Sequence, residues 1–151
     1  NPAMSAARLK EKLARFGELG PADKWLFLRA ATWLAVARLM LIVMPFQRLA
    51  ERLSTEAGAS DAQPDQDFLN RVSFAVAAAA NNVPWRSDCL PQAIAARILL
   101  KRQGYASIIH LGVEKSSPDA VVGHAWLSCG ETVVTGGEQA GRYVETHRLG
   151  E

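Results

Sequence analysis

The chain has 151 residues, of which 49% are hydrophobic and 21% are charged. This length suits about one domain, and the hydrophobic content is too high for a disordered chain. The net charge is only +2, and no basic patch is interleaved with aromatic residues, so the sequence argues against a nucleic-acid partner.

The start of the chain and its cysteines set the expected compartment. Residues 1–3 precede Met4 and are interpreted as a remnant of tag removal, and no secretory signal is visible. Cys89 and Cys129 are too few for a disulfide framework and form no CxxC motif. We therefore expect free thiols in a cytoplasmic protein.

Residues 4–82 are predicted to form a helical N-terminal region. Apolar spacing and helix-ending residues predict helices over 5–16, 21–44, 46–53 and 65–81, with a linker over 54–66. The second helix is apolar nearly all round. Arg29 and Arg38 interrupt it, which disfavours a membrane span, because a charge at mid-bilayer costs several kcal/mol. Contact with a partner or with a membrane surface is the favoured alternative.

Residues 83–151 are predicted to carry the chemistry. A helix over 89–103 would place Cys89 in its first turn, with Ser87 or Asp88 as the cap and Pro91 tolerated near the start. The positive end of the helix dipole favours the reactive thiolate, and free backbone N–H groups there can hold an oxyanion. The alternative is that Cys89 is a small buried core residue.

Strands are predicted over 105–113, 120–128 and 132–135, with a turn over 115–119 and a tight turn at 130–131. Along the second strand, His124, Trp126 and Ser128 share one face and Ala125, Leu127 and Cys129 share the other. Cys129 should therefore point away from His124, and it is interpreted as a core or bystander residue. A zinc site built from Cys89, Cys129 and His124 is disfavoured for the same reason, and we expect no metal or cofactor.

His124 is the candidate base for a Cys89 nucleophile, the alternative being a hydrogen-bonded core histidine. His110 is predicted to lie mid-strand without polar neighbours, and His147 to lie in a tail.

A two-residue turn would set His124 opposite Gly137, with Glu138 one step beyond and within reach of the imidazole. Glu131, at the hairpin tip, lies seven residues from His124, roughly 20 Å at strand rise, and is the less favoured alternative. Glu138 is therefore the preferred orienting group, unless it is a solvated loop carboxylate.

The chain resembles a known family at a set of short motifs. These are Pro84-Trp85, Ser87-Asp88-Cys89-Leu90, Gly104, Gly112-Val113, His124-Ala125-Trp126 and Gly136-Gly137. They are similar to those of the lasso-peptide B2 proteins, which are leader peptidases with a transglutaminase-like, papain-type cysteine-protease core. Residues of the N-terminal helices also look like that family's helical extension: Leu28, Ala31, Leu34, Arg38, Leu39, Leu41, Pro45 and Phe46.

The resemblance implies an α+β fold, in which a helical N-terminal region precedes a transglutaminase-like core with a helix packed on a small antiparallel sheet. It implies a cysteine peptidase that removes the leader from a ribosomally made lasso-peptide precursor, with Cys89 as nucleophile and His124 as base. Trp85 and Trp126 would wall the cleft, or would simply pack in the core. A small leader-recognition (B1) protein would act in trans, and the lasso cyclase would follow.

The sequence departs from the family where its third catalytic residue, usually an Asp, is expected. Thr135-Gly136-Gly137-Glu138 stands there, so either Glu138 substitutes or a dyad works with another backbone or side-chain orienter. Two other functions stay open on the same scaffold. One is an acyltransferase or amidase that passes the thioester to an amine, and the other is a non-catalytic peptide-binding module.

Overall fold

The computed structural model describes residues 2–55, 63–117 and 120–150 as a helical part followed by a sheet. The elements are α1 (Pro2–Glu18), α2 (Pro21–Val43), α3 (Phe46–Thr55), α4 (Gln66–Ala80), α5 (Cys89–Lys101), β1 (Ile108–Ser117), β2 (Ala120–Cys129), β3 (Thr132–Thr135), α6 (Gly137–Ala140) and β4 (Val144–Leu149). The α+β prediction is confirmed. Most of the predicted linker, residues 56–62, lies outside the described residues.

The strands form one antiparallel sheet in the order β3-β2-β1-β4. The tight turn is confirmed, since Cys129 pairs with Thr132 across Gly130 and Glu131. The turn predicted from Lys115 is wrong at its start, because β1 continues to Ser117. β4 was missed by the sequence reasoning, because five of its six residues are exposed and show no apolar alternation.

Helix α5 packs against one face of this sheet and joins it to the helical part. Its side chains Ile94, Leu99 and Leu100 are buried beside Leu127 of β2. Side chains of α2, α3, α4, α5 and the sheet belong to one hydrophobic cluster. Pro91 and Ala93 are buried as well, and they anchor the start of α5, where Cys89 lies.

Arg97 adds a polar junction within this core. It is 4% exposed and donates hydrogen bonds to the carbonyls of Ser107, Leu149 (3.3 Å) and Leu53 (2.7 Å). One guanidinium therefore connects α5 with α3 and two segments of the sheet region, and its buried N–H groups find backbone acceptors.

Helix α2 is the one helix of the described residues that is long and apolar enough, by length and composition, to cross a membrane. Only 22% of that apolar stretch is buried in the fold. Much of its apolar surface therefore faces outward.

Candidate active site

Cys89 is the first residue of α5, as the sequence predicted. Asp88 stands at the N-cap position, although its side chain makes no capping hydrogen bond. The Gln92 side chain instead donates to the Ser87 carbonyl at 2.8 Å and fixes the entry to the helix. The Cys89 thiol is free and half-buried, next to first-turn N–H groups that have no partner within the helix.

β2 carries two different faces, as predicted. Ala125, Leu127 and Cys129 are buried on the α5 side, and the Cys129 thiol donates to the Ala106 carbonyl at 3.2 Å. Burial raises the pKa of the Cys129 thiol. His124 leaves the strand on the opposite side, so Cys129 is a core residue and is directed away from it.

His124 lies in the part of β2 that pairs with β1 but not with β3. β3 pairs only with Leu127, Ser128 and Cys129 and ends at Thr135. The segment of β2 around His124 is consequently an open sheet edge as far as strand pairing is concerned.

The His124 ring is oriented by a backbone carbonyl. Its Nε2 lies 2.9 Å from the carbonyl oxygen of Gly136. A carbonyl oxygen only accepts, so Nε2 must carry the hydrogen of this bond. In neutral His124 the lone pair is then on Nδ1, which is the atom left available to act as a base.

Gly136 is shaped for this role. Its φ is +72°, a left-handed conformation that residues with a Cβ adopt at a cost. A Cβ there would lie 2.7 Å from the Ala125 carbonyl oxygen and 3.1 Å from His124 Nε2. The glycine therefore brings its backbone against the imidazole at a distance that no larger residue allows.

The register predicted beyond the hairpin is wrong. The pairing shifts between Leu127 and Ser128, and the left-handed Gly136 then turns the chain into α6. No residue of β3 pairs with His124, so it does not lie opposite Gly137. Glu138 is exposed in the first turn of α6, and among the described residues no hydrogen bond joins it to His124. Its catalytic role stays a prediction, and the same holds for the more distant Glu131.

The face of the sheet that carries His124 also holds a cluster that the sequence reasoning missed. His110 Nε2 lies 2.7 Å from Ser128 Oγ, and His110 Nδ1 lies 3.3 Å from Glu145 Oε1. A hydrogen bond from Arg148, and secondarily the contact with His110, holds the pKa of the Glu145 carboxyl below its usual range. The expectation that His110 lacks polar neighbours is therefore wrong, because these partners come from β2 and from the unpredicted β4. His147 lies on β4 rather than in a tail.

Aromatic stacking connects this cluster with His124. The Trp126 ring lies between the two imidazoles, 5.4 Å from His110 and 6.0 Å from His124 between ring centroids. Tyr143 stacks on His124 at 4.8 Å. Trp126 is only 8% exposed, and its ring packs on the His124 ring. Its contact with a substrate stays a prediction.

The loop that leads into α5 contains polar atoms without partners. Trp85 Nε1 and Ser87 Oγ are buried and, within the described part of the chain, have no hydrogen-bond partner. Buried donors are normally paired, so an orphaned indole N–H four residues before Cys89 is suited to a bound group. Trp85 as a substrate-binding residue stays a prediction that this atom favours.

The structure brings His124 together with Gly136, Trp126 and Tyr143. Between Cys89 and His124 themselves, both of which it describes, no hydrogen bond is formed. Thiol–imidazole hydrogen bonds are often long or poorly aligned in enzymes without substrate. The pairing of the two side chains stays a prediction.

Comparison with known proteins identifies the family. Residues 31–147, about three quarters of the chain, match the family model described as Transglut_core3, the transglutaminase-like superfamily. The match begins within α2 and includes Cys89, His124 and Gly136. No curated protein and no solved structure matches the chain. The chain belongs to the transglutaminase-like superfamily, whose fold suits a cysteine protease or an acyltransferase.

Proposed function

We propose that this member of the transglutaminase-like superfamily is a cytoplasmic cysteine peptidase that removes the leader from a lasso-peptide precursor. Cys89 is the nucleophile and His124 is the base in this proposal. The observation that carries it is the hydrogen bond from His124 Nε2 to Gly136, since it leaves Nδ1 as the basic atom. The lasso-peptide substrate rests on the sequence resemblance alone.

The first step is acylation of the thiol. Cys89 Sγ attacks the carbonyl carbon of the last leader residue, while His124 Nδ1 accepts the thiol proton. The tetrahedral oxyanion is held by the first-turn N–H groups of α5 and by the orphaned Trp85 indole N–H. His124 then gives its proton to the departing amine, and the carbon–nitrogen bond breaks.

The second step is hydrolysis. The leader is now a thioester on Cys89, and the core peptide leaves with a free N-terminal amine. His124 accepts a proton from water as the water oxygen attacks the thioester carbon. The carbon–sulfur bond then breaks, His124 returns the proton to the Cys89 sulfur, and the leader leaves as an acid that ionises to the carboxylate. The freed amine is the group that a cyclase needs to close a macrolactam.

The Gly136 carbonyl orients His124 without adding a full negative charge beside it. A carboxylate would stabilise the imidazolium more strongly than a neutral carbonyl does. In the proposed enzyme Cys89 and His124 therefore act as a dyad with a backbone orienter, and the exposed Glu138 is not required. Recognition of the leader is proposed to come from a separate B1-type protein in trans.

The test combines the protein, a leader-recognition partner and a candidate precursor, with products identified by mass spectrometry. We expect two fragments whose summed mass equals the precursor plus one water, and no cleavage by Cys89→Ala. An added primary amine distinguishes acyl transfer, because the leader fragment would then carry the amine in place of the hydroxyl. Cleavage that persists in Cys89→Ala would overturn the proposal, and a non-catalytic module would yield no product.

A further inference from the structure

Helix α2 presents two apolar faces on opposite sides. The inner face is buried in the core through Leu26, Ala30, Leu34 and Ala37. The outer stripe consists of residues separated alternately by three and four positions: Trp25, Leu28, Thr32, Ala35, Leu39 and Ile42. Its four large side chains are 50–69% exposed. The inner face accounts for the fold, and the outer stripe has no structural use in it.

We infer that the outer stripe is a docking surface for an acid-flanked amphipathic helix of a partner protein. The spacing of three and four residues is the 3.5-residue period by which one helix packs along another. The peptidase chemistry is not needed for this inference, because no residue of the stripe belongs to the proposed active site.

The middle of the outer stripe is narrow, which favours a helix over a lipid surface. Thr32 and Ala35 are small, and larger side chains stand at both ends. Small residues at the centre let two helix backbones approach closely, whereas a bilayer gains most from bulky apolar side chains. The Thr32 hydroxyl already donates to the Leu28 carbonyl at 2.9 Å, so a partner can cover it without leaving that donor unpaired.

The charges beside the stripe determine the chemistry of the partner. Arg29 and Arg38 occupy flanking positions, and neither forms an ion pair with another described residue. Residues 2–55 contain nine of the 17 basic residues and only four of the 15 acidic ones. A second copy of this chain would bring arginine against arginine, so the complementary occupant is a helix with Glu or Asp beside its apolar seam.

The experiment uses the full chain and two synthetic helical peptides of equal length. Both have Leu at the seam positions, one has Glu at the flanking positions, and the other has Lys there. Binding is measured by calorimetry and by the emission of the protein's tryptophans, since Trp25 is 64% exposed. Binding to vesicles that contain phosphatidylglycerol tests whether a membrane covers the stripe instead. Sedimentation equilibrium of the protein alone tests whether a second copy covers it.

We expect the Glu peptide to bind at least tenfold more tightly than the Lys peptide, with weaker binding at high salt. Leu39→Glu should remove this binding. Val144→Glu, at an apolar position of β4 that is no less exposed than Leu39, should leave it intact. The double variant Arg29→Glu with Arg38→Glu should prefer the Lys peptide.

Three results would overturn the inference. The first is equal binding of the two peptides, or binding that survives Leu39→Glu. The second is vesicle binding that Leu39→Glu abolishes while neither peptide binds, which would assign the stripe to a membrane. The third is dimerisation of the protein that Leu39→Glu abolishes, which would assign it to a second copy. Circular dichroism of each variant checks that the helices persist.

Discussion

Replacement of Gly136 by alanine tests how the histidine is held. The new Cβ would sit in a backbone conformation of φ +72°, which costs an L-residue about 1–2 kcal/mol. It would also lie 2.7 Å from the Ala125 carbonyl oxygen and 3.0 Å from Trp126 Cβ. Relief of such overlap typically costs a further ~1–3 kcal/mol. We therefore expect Gly136→Ala to lower the free energy of unfolding by about 2–5 kcal/mol.

Two matched glycines separate the contributions. Gly130 also has a positive φ, +57°, but a Cβ there would meet only Pro64 at 3.9 Å, so Gly130→Ala reports the backbone cost alone. Gly123 precedes His124, and a Cβ there would meet nothing within 4 Å. Gly123→Ala should change the unfolding free energy by less than about 0.5 kcal/mol.

The assay is urea unfolding of the three variants, combined with kcat/KM for precursor cleavage under native conditions. Because the overlap displaces the carbonyl that orients His124, Gly136→Ala should lose about 10²-fold in kcat/KM, and the other two should stay near wild type. The reasoning would be refuted by a Gly136→Ala protein that is as stable as Gly130→Ala and cleaves at the normal rate.

The remaining predictions concern other residues. Iodoacetamide at pH 8 should label native protein once, on Cys89, and label Cys129 only after denaturation, because Cys129 is 2% exposed and burial raises its thiol pKa. Glu138→Gln should retain near-normal kcat/KM, and a loss of 10²-fold or more would restore Glu138 as the orienting group. Arg97→Leu should lower the unfolding free energy by ~3–5 kcal/mol in urea titrations, since three buried carbonyls lose their donor. Glu145 has a pKa below its ordinary value of 4.5 in the folded state, so it stabilises the fold above that pH and loses its contribution as pH falls through the folded pKa. In Glu145→Gln the free energy of unfolding should therefore fall less steeply as the pH is lowered. An unchanged slope in acid would contradict this.

The sequence predicted those parts of the fold that local periodicity determines. The helix that starts at Cys89 follows from the tolerated Pro91 near its start, although neither Ser87 nor Asp88 forms the expected capping hydrogen bond. The two faces of β2 follow from strict alternation. The register shift after Leu127 and the position of β4 depend on contacts between distant segments, which leave no local pattern. The Glu138 expectation followed from that missing shift.

The sequence did not predict that the Gly136 carbonyl orients His124, for a different reason. Backbone groups have no signature in side-chain identity, so a search for a third catalytic residue overlooks them. The pair Gly136-Gly137 was the available signal, because a glycine beside a proposed histidine marks a close backbone approach.

The central claim is that Cys89 becomes acylated by the leader while His124 moves the protons. It is tested most directly by quenching the reaction with acid during turnover and mapping the protein's adducts by mass spectrometry. The account predicts a leader-sized thioester on the peptide that contains Cys89, and no adduct in His124→Ala. A leader attached elsewhere, or turnover of the precursor by Cys89→Ala, would contradict it.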